Sequence, residues 1–391
     1  MSRLDRLIKE LCPDGVEYRP LEECCTILDK KRKPVTKAAR ENGEYPYYGA
    51  NGIQDYVSDY IFDGTFILVG EDGSVITKAG TPVVTWAEGK IWVNNHAHII
   101  EEKEGVRLRY LFHYIQTVDV TPLIHGNIPK LTGGDFKAIS IPIPPLPVQH
   151  EIVRILDNFT ELTAELTAEL TARKKQYEYY KSHLLTFDDS VPRMSLGDVC
   201  IVQSGGTPSK AKHEYWDNGT IKWLGSTVCQ NQKTVAEVTN YISKVGLKNS
   251  SAKLMNKETT LIALVGATIG KVAFLPFEAT VNQNIAGIYP IDTSKINPSY
   301  VFYACGMLYA DFIGLSQGKL AMANLSFVRG LKIPVPPIQE QKRIVSILDK
   351  FDALVNDISI GLPAEIQARQ KQYEYYRDKL LSFKEAANEQ L

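Results

Sequence analysis

Two stretches hold residue types that could do chemistry. GATIGKV, residues 266–272, has the glycines and the lysine of a phosphate-cradling loop. Such a loop also needs a Ser or Thr to hold magnesium, and here Val272 stands in that place, with one residue too few between the glycines. It reads instead as a glycine-containing loop between strands, and a nucleotide-hydrolysing role would rest on Lys271 alone. NNHAH sets His96 and His98 one residue apart on a predicted strand, hence on one side of it. Third and fourth ligands at useful spacing are missing, which argues against a metal site. No G-x-S-x-G, helical H-E-x-x-H or methyltransferase-like glycine loop occurs. The sequence thus predicts no catalytic, metal-binding or cofactor-binding residue.

Other polar clusters suit nucleic acid. Asn94, Asn95 and His96, and likewise Asn282, Gln283 and Asn284, carry amide and imidazole groups able to bond base edges; Asn or Gln can pair bidentately with adenine. The same amides could equally cap turns beside a strand. Lys30, Lys31, Arg32 and Lys33 form a basic loop suited to phosphates, or a solvated charge run. SGGTPSKAKHEYWDNG joins Gly205 and Gly206 to Thr207, Ser209, Lys210 and Lys212, which can bring backbone N–H groups and lysines to a phosphate. Lys222, Gln317 and Lys319 extend that set.

What positions these groups is an internal repeat. IPIPPLPVQHEIVRILDNF (141–159) aligns with IPVPPIQEQKRIVSILDKF (333–351). KKQYEYYKSHLLTF (174–187) matches QKQYEYYRDKLLSF (370–383) at nine of fourteen positions. The first pair is offset by 192 and the second by 196, so the later copy carries a four-residue insertion. Fainter echoes link 93–100 to 281–288, 109–115 to 299–305, and 67–75 to 263–272. The prolines before each block forbid helix there. Beyond them, Ile152, Leu156, Phe159, Leu162, Leu166, Leu170, Tyr177, Tyr180 and Leu184 recur every three or four residues, a stripe that persists for roughly 58 Å at 1.5 Å per residue. A helix that long with one apolar stripe needs a partner. Ile344, Leu348, Phe351, Val355, Ile358, Ile366, Tyr373, Tyr376 and Leu380 supply one, interrupted near Gly361 and Pro363.

The predicted fold class is α+β: two α/β globules held apart by two long helices packed antiparallel as a coiled coil, in a pseudo-two-fold, nearly circular order. The predicted divisions are globules over 1–147 and 188–338, a central helix over 148–187, and a C-terminal helix over 339–391. Because 7–21 echoes 184–196, the two chain ends are expected to lie close together. The seam is assigned to Ile152, Leu156, Phe159, Leu166, Tyr177, Tyr180, Leu184, Ile344, Leu348, Phe351, Tyr373, Tyr376 and Leu380. TELTAELTAELTA (160–172) suits a spacer that gains or loses one turn without losing that seam.

Composition narrows the class. Formal net charge is −1, unlike a protein that coats nucleic acid, so a DNA-binding surface must be a local patch. Lys and Arg number 17 against 20 acidic residues in 1–145, but 14 against 10 in 188–335. Six cysteines without C-x-x-C spacing read as thiols in a reducing cytosol. The charged amphipathic start lacks a signal peptide's apolar core, and no run of about eighteen apolar residues occurs. A soluble, cytoplasmic protein without membrane contact is expected. A two-headed, protein-binding adaptor with no DNA role would share the architecture.

The pattern P-P-x-x-x-Q-x-x-I-V-x-I-L-D-x-F, the TAEL units, K-K-Q-Y-E-Y-Y and SGGTPSK followed by YW resemble the specificity subunit of type I restriction-modification enzymes. The resemblance covers the whole chain and is closest in the helical blocks. It implies a non-catalytic subunit whose two target-recognition domains each read one half of a split, asymmetric target in double-stranded DNA. It also implies docking of two modification subunits, which methylate adenine, and of motor-nuclease restriction subunits. The resemblance assigns S-adenosylmethionine, ATP and magnesium to those partners.

Overall fold

The computed structural model describes residues 2–233, 238, 240–314 and 322–386; Gln317 and Lys319 lie outside them. The chain divides into two compact units, Met1–Glu165 with Ala368–Leu391, and Leu166–Gln367. Among the described residues no helix is long and apolar enough to cross a membrane.

In the first unit a six-stranded sheet has the order Thr26–Ile27, Ala97–Glu101, Phe62–Gly70, Val84–Val93, Asn42–Gly49, Gly52–Val57. Alternation in FDGTFILVG sends Ile67 and Val69 to one core and Phe66 and Leu68 to another, so both faces of the central strand are buried. All pairings in this sheet are antiparallel except one, in which Tyr47 and Tyr48 lie beside Trp92 and Val93.

The second unit repeats this with smaller sheets. Cys200–Ser204, Ile285–Pro290, Thr260–Ala263 and Val272–Phe274 form one. Asn240–Ile242, Ile221–Leu224, Ala279–Val281 and Leu254–Met255 form the other, again with one parallel pair, Trp223 and Leu224 beside Thr280 and Val281.

The repeat is reproduced bond for bond where each globule meets its helix. Gln149 and Gln341 are fully buried. The Gln149 carbonyl accepts from Arg107 N–H at 2.9 Å, and its amide donates to the Gly105 and Pro144 carbonyls. Gln341 does the same with Asn297 N–H at 2.9 Å and the Lys295 and Pro336 carbonyls. Tyr110 and Tyr300, on the helices Leu108–Ile115 and Pro298–Gly306, donate to the Pro142 and Pro334 carbonyls at 2.9 and 3.0 Å. A buried polar side chain needs every such bond, so these residues fix how each globule sits on its own helix.

The long helix runs unbroken over Leu146–Leu185, where the apolar stripe placed it. In the first unit its Phe159 stacks on Tyr376 of the helix Leu362–Leu380, 5.4 Å between centroids. In the second unit its Tyr177 and Tyr180 stack on Phe351 of the helix Ile338–Asn356. Partners therefore follow in reverse chain order, as antiparallel pairing requires. Each Tyr-rich copy serves the other copy's globule: Tyr373, Leu380 and Leu381 join the first unit's core, and Tyr177, Leu184 and Leu185 the second's. Leu185 and Leu381 are more deeply buried than the leucines expected from periodicity.

One member of the stripe departs from expectation. Ile358 is 80% exposed, because the helix stops at Asn356 and residues 357–361 form a turn held by the Asp357 carboxylate. Gly361 is needed there, since a Cβ would stand 2.5 Å from the Ala353 carbonyl oxygen. The early and late residues of the chain meet in the first unit: Val16 N–H donates to the Lys384 carbonyl, Ala386 N–H to that of Val16, and Tyr18 to that of Phe383.

Candidate nucleic-acid interface

In both units the loop after the edge strand is pinned to the end of the parallel strand pair. Lys33 N–H donates to the Val93 carbonyl at 3.3 Å, and the Trp92 indole to the Lys33 carbonyl at 2.6 Å. In the second unit Gly206 N–H donates to the Val281 carbonyl at 2.8 Å, and the Trp223 indole to the Gly206 carbonyl at 3.1 Å. Gly205 is forced by the approach, since a Cβ would lie 1.9 Å from the Val281 carbonyl oxygen. The two loops singled out by composition, KKRKP and SGGTPSK, thus take the same place in two copies of one frame.

Beside each loop lies an Asn-initiated turn. Asn94 N–H donates to the Tyr48 carbonyl and its side-chain oxygen accepts from His96 N–H at 2.8 Å. Asn282 N–H donates to the Leu224 carbonyl, and its side-chain oxygen accepts from Asn284 N–H at 3.0 Å. The side chains of Asn94 and Asn282 therefore shape the turn, which is what this residue does for a chain that must reverse. Asn94 is buried and also donates to Gln54. The surface is left to their neighbours: Asn95, His96 and Gln283 are exposed and Asn284 half-buried.

Loop and turn are also joined by side chains. Thr207 donates to the Gln283 side-chain amide oxygen, Oε1, at 2.6 Å. In the first unit His96 pairs with Asp72 of the adjoining loop. The groove beside them is lined by Asn51, Gln54, Asp72, Ser74, His96 and Ile128. Asn51 and Gln54 escape a sequence reading because only the parallel Tyr48–Val93 register brings their hairpin to Asn94.

Several predicted contacts have other work. Arg32 is mostly buried; its guanidinium donates to Glu71 at 2.7 Å and to the Ala97 carbonyl at 2.6 Å, so it is an internal ion pair. His98 does not share a side with His96, which lies in the turn between strands. His98 is 1% exposed, bonded to Asp29 at 2.6 Å and to the Leu131 carbonyl, and stacked on Phe136. Asp29, Glu71 and His98 are close enough together to hold a cation. Arg32 and Lys130 already supply positive charge to these carboxylates. Burial raises the Asp29 carboxyl's pKa, but His98, Ile99 N–H and Arg32 outweigh it and keep the group below the usual range. Lys222 lies 3.6 Å from the Phe277 ring centroid, and Lys212 donates to Tyr215 at 2.9 Å. Lys30, Lys31, Lys33, Ser209 and Lys210 are exposed, as a phosphate contact requires. In GATIGKV the N–H groups of Ile269, Gly270 and Lys271 donate to carbonyls of the loop and its strand, which turns them away from any phosphate.

One loop-and-turn constellation thus occurs twice on the chain, once in each unit. The chain belongs to the type I restriction modification DNA specificity domain family, whose pattern matches residues 13–173 and again 190–368. It is a specificity subunit and not a catalytic one, and its task is recognition of DNA sequence. It is 39% identical to the specificity subunit of the type I enzyme EcoR124I/EcoR124II of Escherichia coli, over 98% of each chain. It is also 39% identical to a putative type I specificity subunit of Haemophilus influenzae, over 94% of this chain and 96% of that one. The crystal structure of a type I S subunit from M. genitalium shares the fold, with TM-score 0.62 and 16% identity over 94% of this chain and 96% of that one.

Proposed function

We propose that the first and second units each read one half of a split, asymmetric target in double-stranded DNA. In this reading the paired helices receive two modification subunits and the motor-nuclease restriction subunits, in the cytoplasm. S-adenosylmethionine, ATP and magnesium are bound by those partners, and this chain supplies only placement. One observation carries the reading: the same loop-and-turn constellation stands on matching frames, with His96 and Asp72 in one and Gln283 and Thr207 in the other. Different groups on equal mounts are what two unlike half-sites require. An adenine that is methylated must leave the stack, so the bound duplex is distorted.

Mapping the adenines methylated by the chain assembled with its modification subunits tests the reading. The expected result is a two-part motif with a fixed unread spacer; a continuous motif, or none, refutes it. Deleting residues 167–170 from the long helix removes about 6 Å of helix, against roughly 3.4 Å per base pair. The spacer should then shorten by one or two base pairs with both half-sites intact, and an unchanged spacer would remove the helix as its ruler.

A further inference from the structure

The second unit contains a segment that the first does not. In the first unit, residues 58–61 join the strands Gly52–Val57 and Phe62–Gly70, and they include Asp59 and no lysine. At the same place in the second unit, residues 243–259 join Asn240–Ile242 to Thr260–Ala263. This longer connection holds Lys244, Lys248, Lys253 and Lys257, with Glu258 its one acidic residue. All four lysines are exposed, and none has an acidic partner within ion-pair distance among the described residues. Four exposed cations without ion-pair partners are free to meet a polyanion.

The segment is built against the candidate DNA-facing loop. A Cβ on Gly206 would stand 2.3 Å from the Ser251 hydroxyl, and one on Gly246 would stand 2.5 Å from the Tyr215 carbonyl. Ser243 donates to the Glu214 carbonyl at 2.6 Å, and Tyr215, which holds Lys212, donates to the Asn249 carbonyl at 3.2 Å. Lys210 and Lys212 belong to the loop and Lys244 and Lys248 to the helix Lys244–Lys248 that packs on it, while Lys253 precedes Leu254, which pairs with Thr280 of the strand leading into Asn282.

We infer that residues 243–257 form a phosphate clamp, which holds the backbone of the duplex beside the bases that the Thr207–Gln283 cluster meets. This inference rests on the DNA-reading role proposed above and gives the second unit most of the electrostatic grip. Phosphate contacts fix position without carrying sequence information, so the clamp sets affinity and leaves the motif alone.

The test uses the chain assembled with its modification subunits and a duplex carrying its mapped target. Each phosphate contact contributes about 0.9 to the slope of log K against log salt, so four contribute about 3.6. Replacing Lys244, Lys248, Lys253 and Lys257 by Gln should flatten the slope by up to that amount. Raising salt from about 50 to about 200 mM should then cost the parent complex roughly a hundredfold more affinity than the variant. The methylated motif should not change. Lys253→Gln alone should flatten the slope by about 0.9 and guards against a fold-wide effect in the quadruple variant. An unchanged slope in both variants overturns the clamp. Failure of the quadruple variant to retain the modification subunits also overturns it, and would make the patch a protein-docking surface. A parent complex that binds target and scrambled duplexes equally would instead refute the recognition role itself.

Discussion

Asp157 and Asp349 hold the same position in the two copies of ILDxF, yet different groups hold them. In the first unit Asp157 takes Arg109 and the buried His113, each at 2.8 Å, and His113 in turn meets the Tyr373 hydroxyl at 3.0 Å. In the second, Asp349 takes Lys233 and Tyr303. The cation comes from the helix Leu108–Ile115, where Arg109 also lies over the Trp86 ring, in one case and from the loop before Asn240–Ile242 in the other. The frame shared by the units is thus a set of backbone-directed bonds, those of Gln149 and Gln341, Tyr110 and Tyr300. Side-chain to side-chain links on the same frame are exchangeable. Recognition surfaces can diverge because what anchors them addresses carbonyls and N–H groups, which every sequence has.

The largest test of this comparison is removal of the anchoring amides. Gln149→Ala or Gln341→Ala takes the partner from one N–H and two carbonyls, of which the bond to Pro144 or Pro336 is fully buried, and the cost should be about 2 kcal/mol or more. Calorimetry should show nearly equal losses in the two units, and a gap above about 1 kcal/mol would break their equivalence. Arg32→Ala leaves the part-buried Glu71 with Lys130 alone and the Ala97 carbonyl without its donor, and should cost about 2 kcal/mol. Lys31→Ala should stay within about 0.5 kcal/mol, so urea melts of the two separate an internal ion pair from a surface cation. Tyr110→Phe and Tyr300→Phe should each cost about 1 kcal/mol, again alike.

The smallest effect sharpens the difference between the units. Burial holds the His113 imidazole below its ordinary value of 6.5, against the pull of Asp157. The unfolded chain therefore takes this proton at higher pH than the folded one. The stabilising contribution is full above about 6.5 and is lost as pH falls through the depressed value. Tyr303 cannot do this, because burial and then Asp349 push its hydroxyl far upward. Hydrogen exchange compared at about pH 7.5 and about pH 5.5 should show Leu108–Ile115 loosening on acidification and Pro298–Gly306 unchanged. Equal loosening of both helices would assign the effect elsewhere.

The helices, the repeat and its reversal were legible because periodicity and two near-identical blocks are local signals. The candidate interface was legible only in part. KKRKP and NNHAH were found by composition, but composition could not tell Arg32 from Lys31. The partners that bury Arg32, Glu71 and Ala97, lie 39 and 65 residues further along. Period-two counting put His96 and His98 on one side, whereas the turn that Asn94 imposes breaks the strand between them. The lysines of 243–257 are spread four or five apart among apolar and polar residues, so no charge run marked them. Their grouping depends on Gly206, Gly246 and Tyr215 packing the connection onto the loop.

The first unit is completed by Ala368–Leu391, which leave the ribosome about two hundred residues after Glu165. At 5–20 residues per second that delay is roughly ten to forty seconds. Through that interval Tyr18 and His113 wait for Phe383 and Tyr373, while the second unit, contiguous in the chain, can close first. The earlier-made globule is therefore the later to mature, and its nascent form is the one that chaperones would meet.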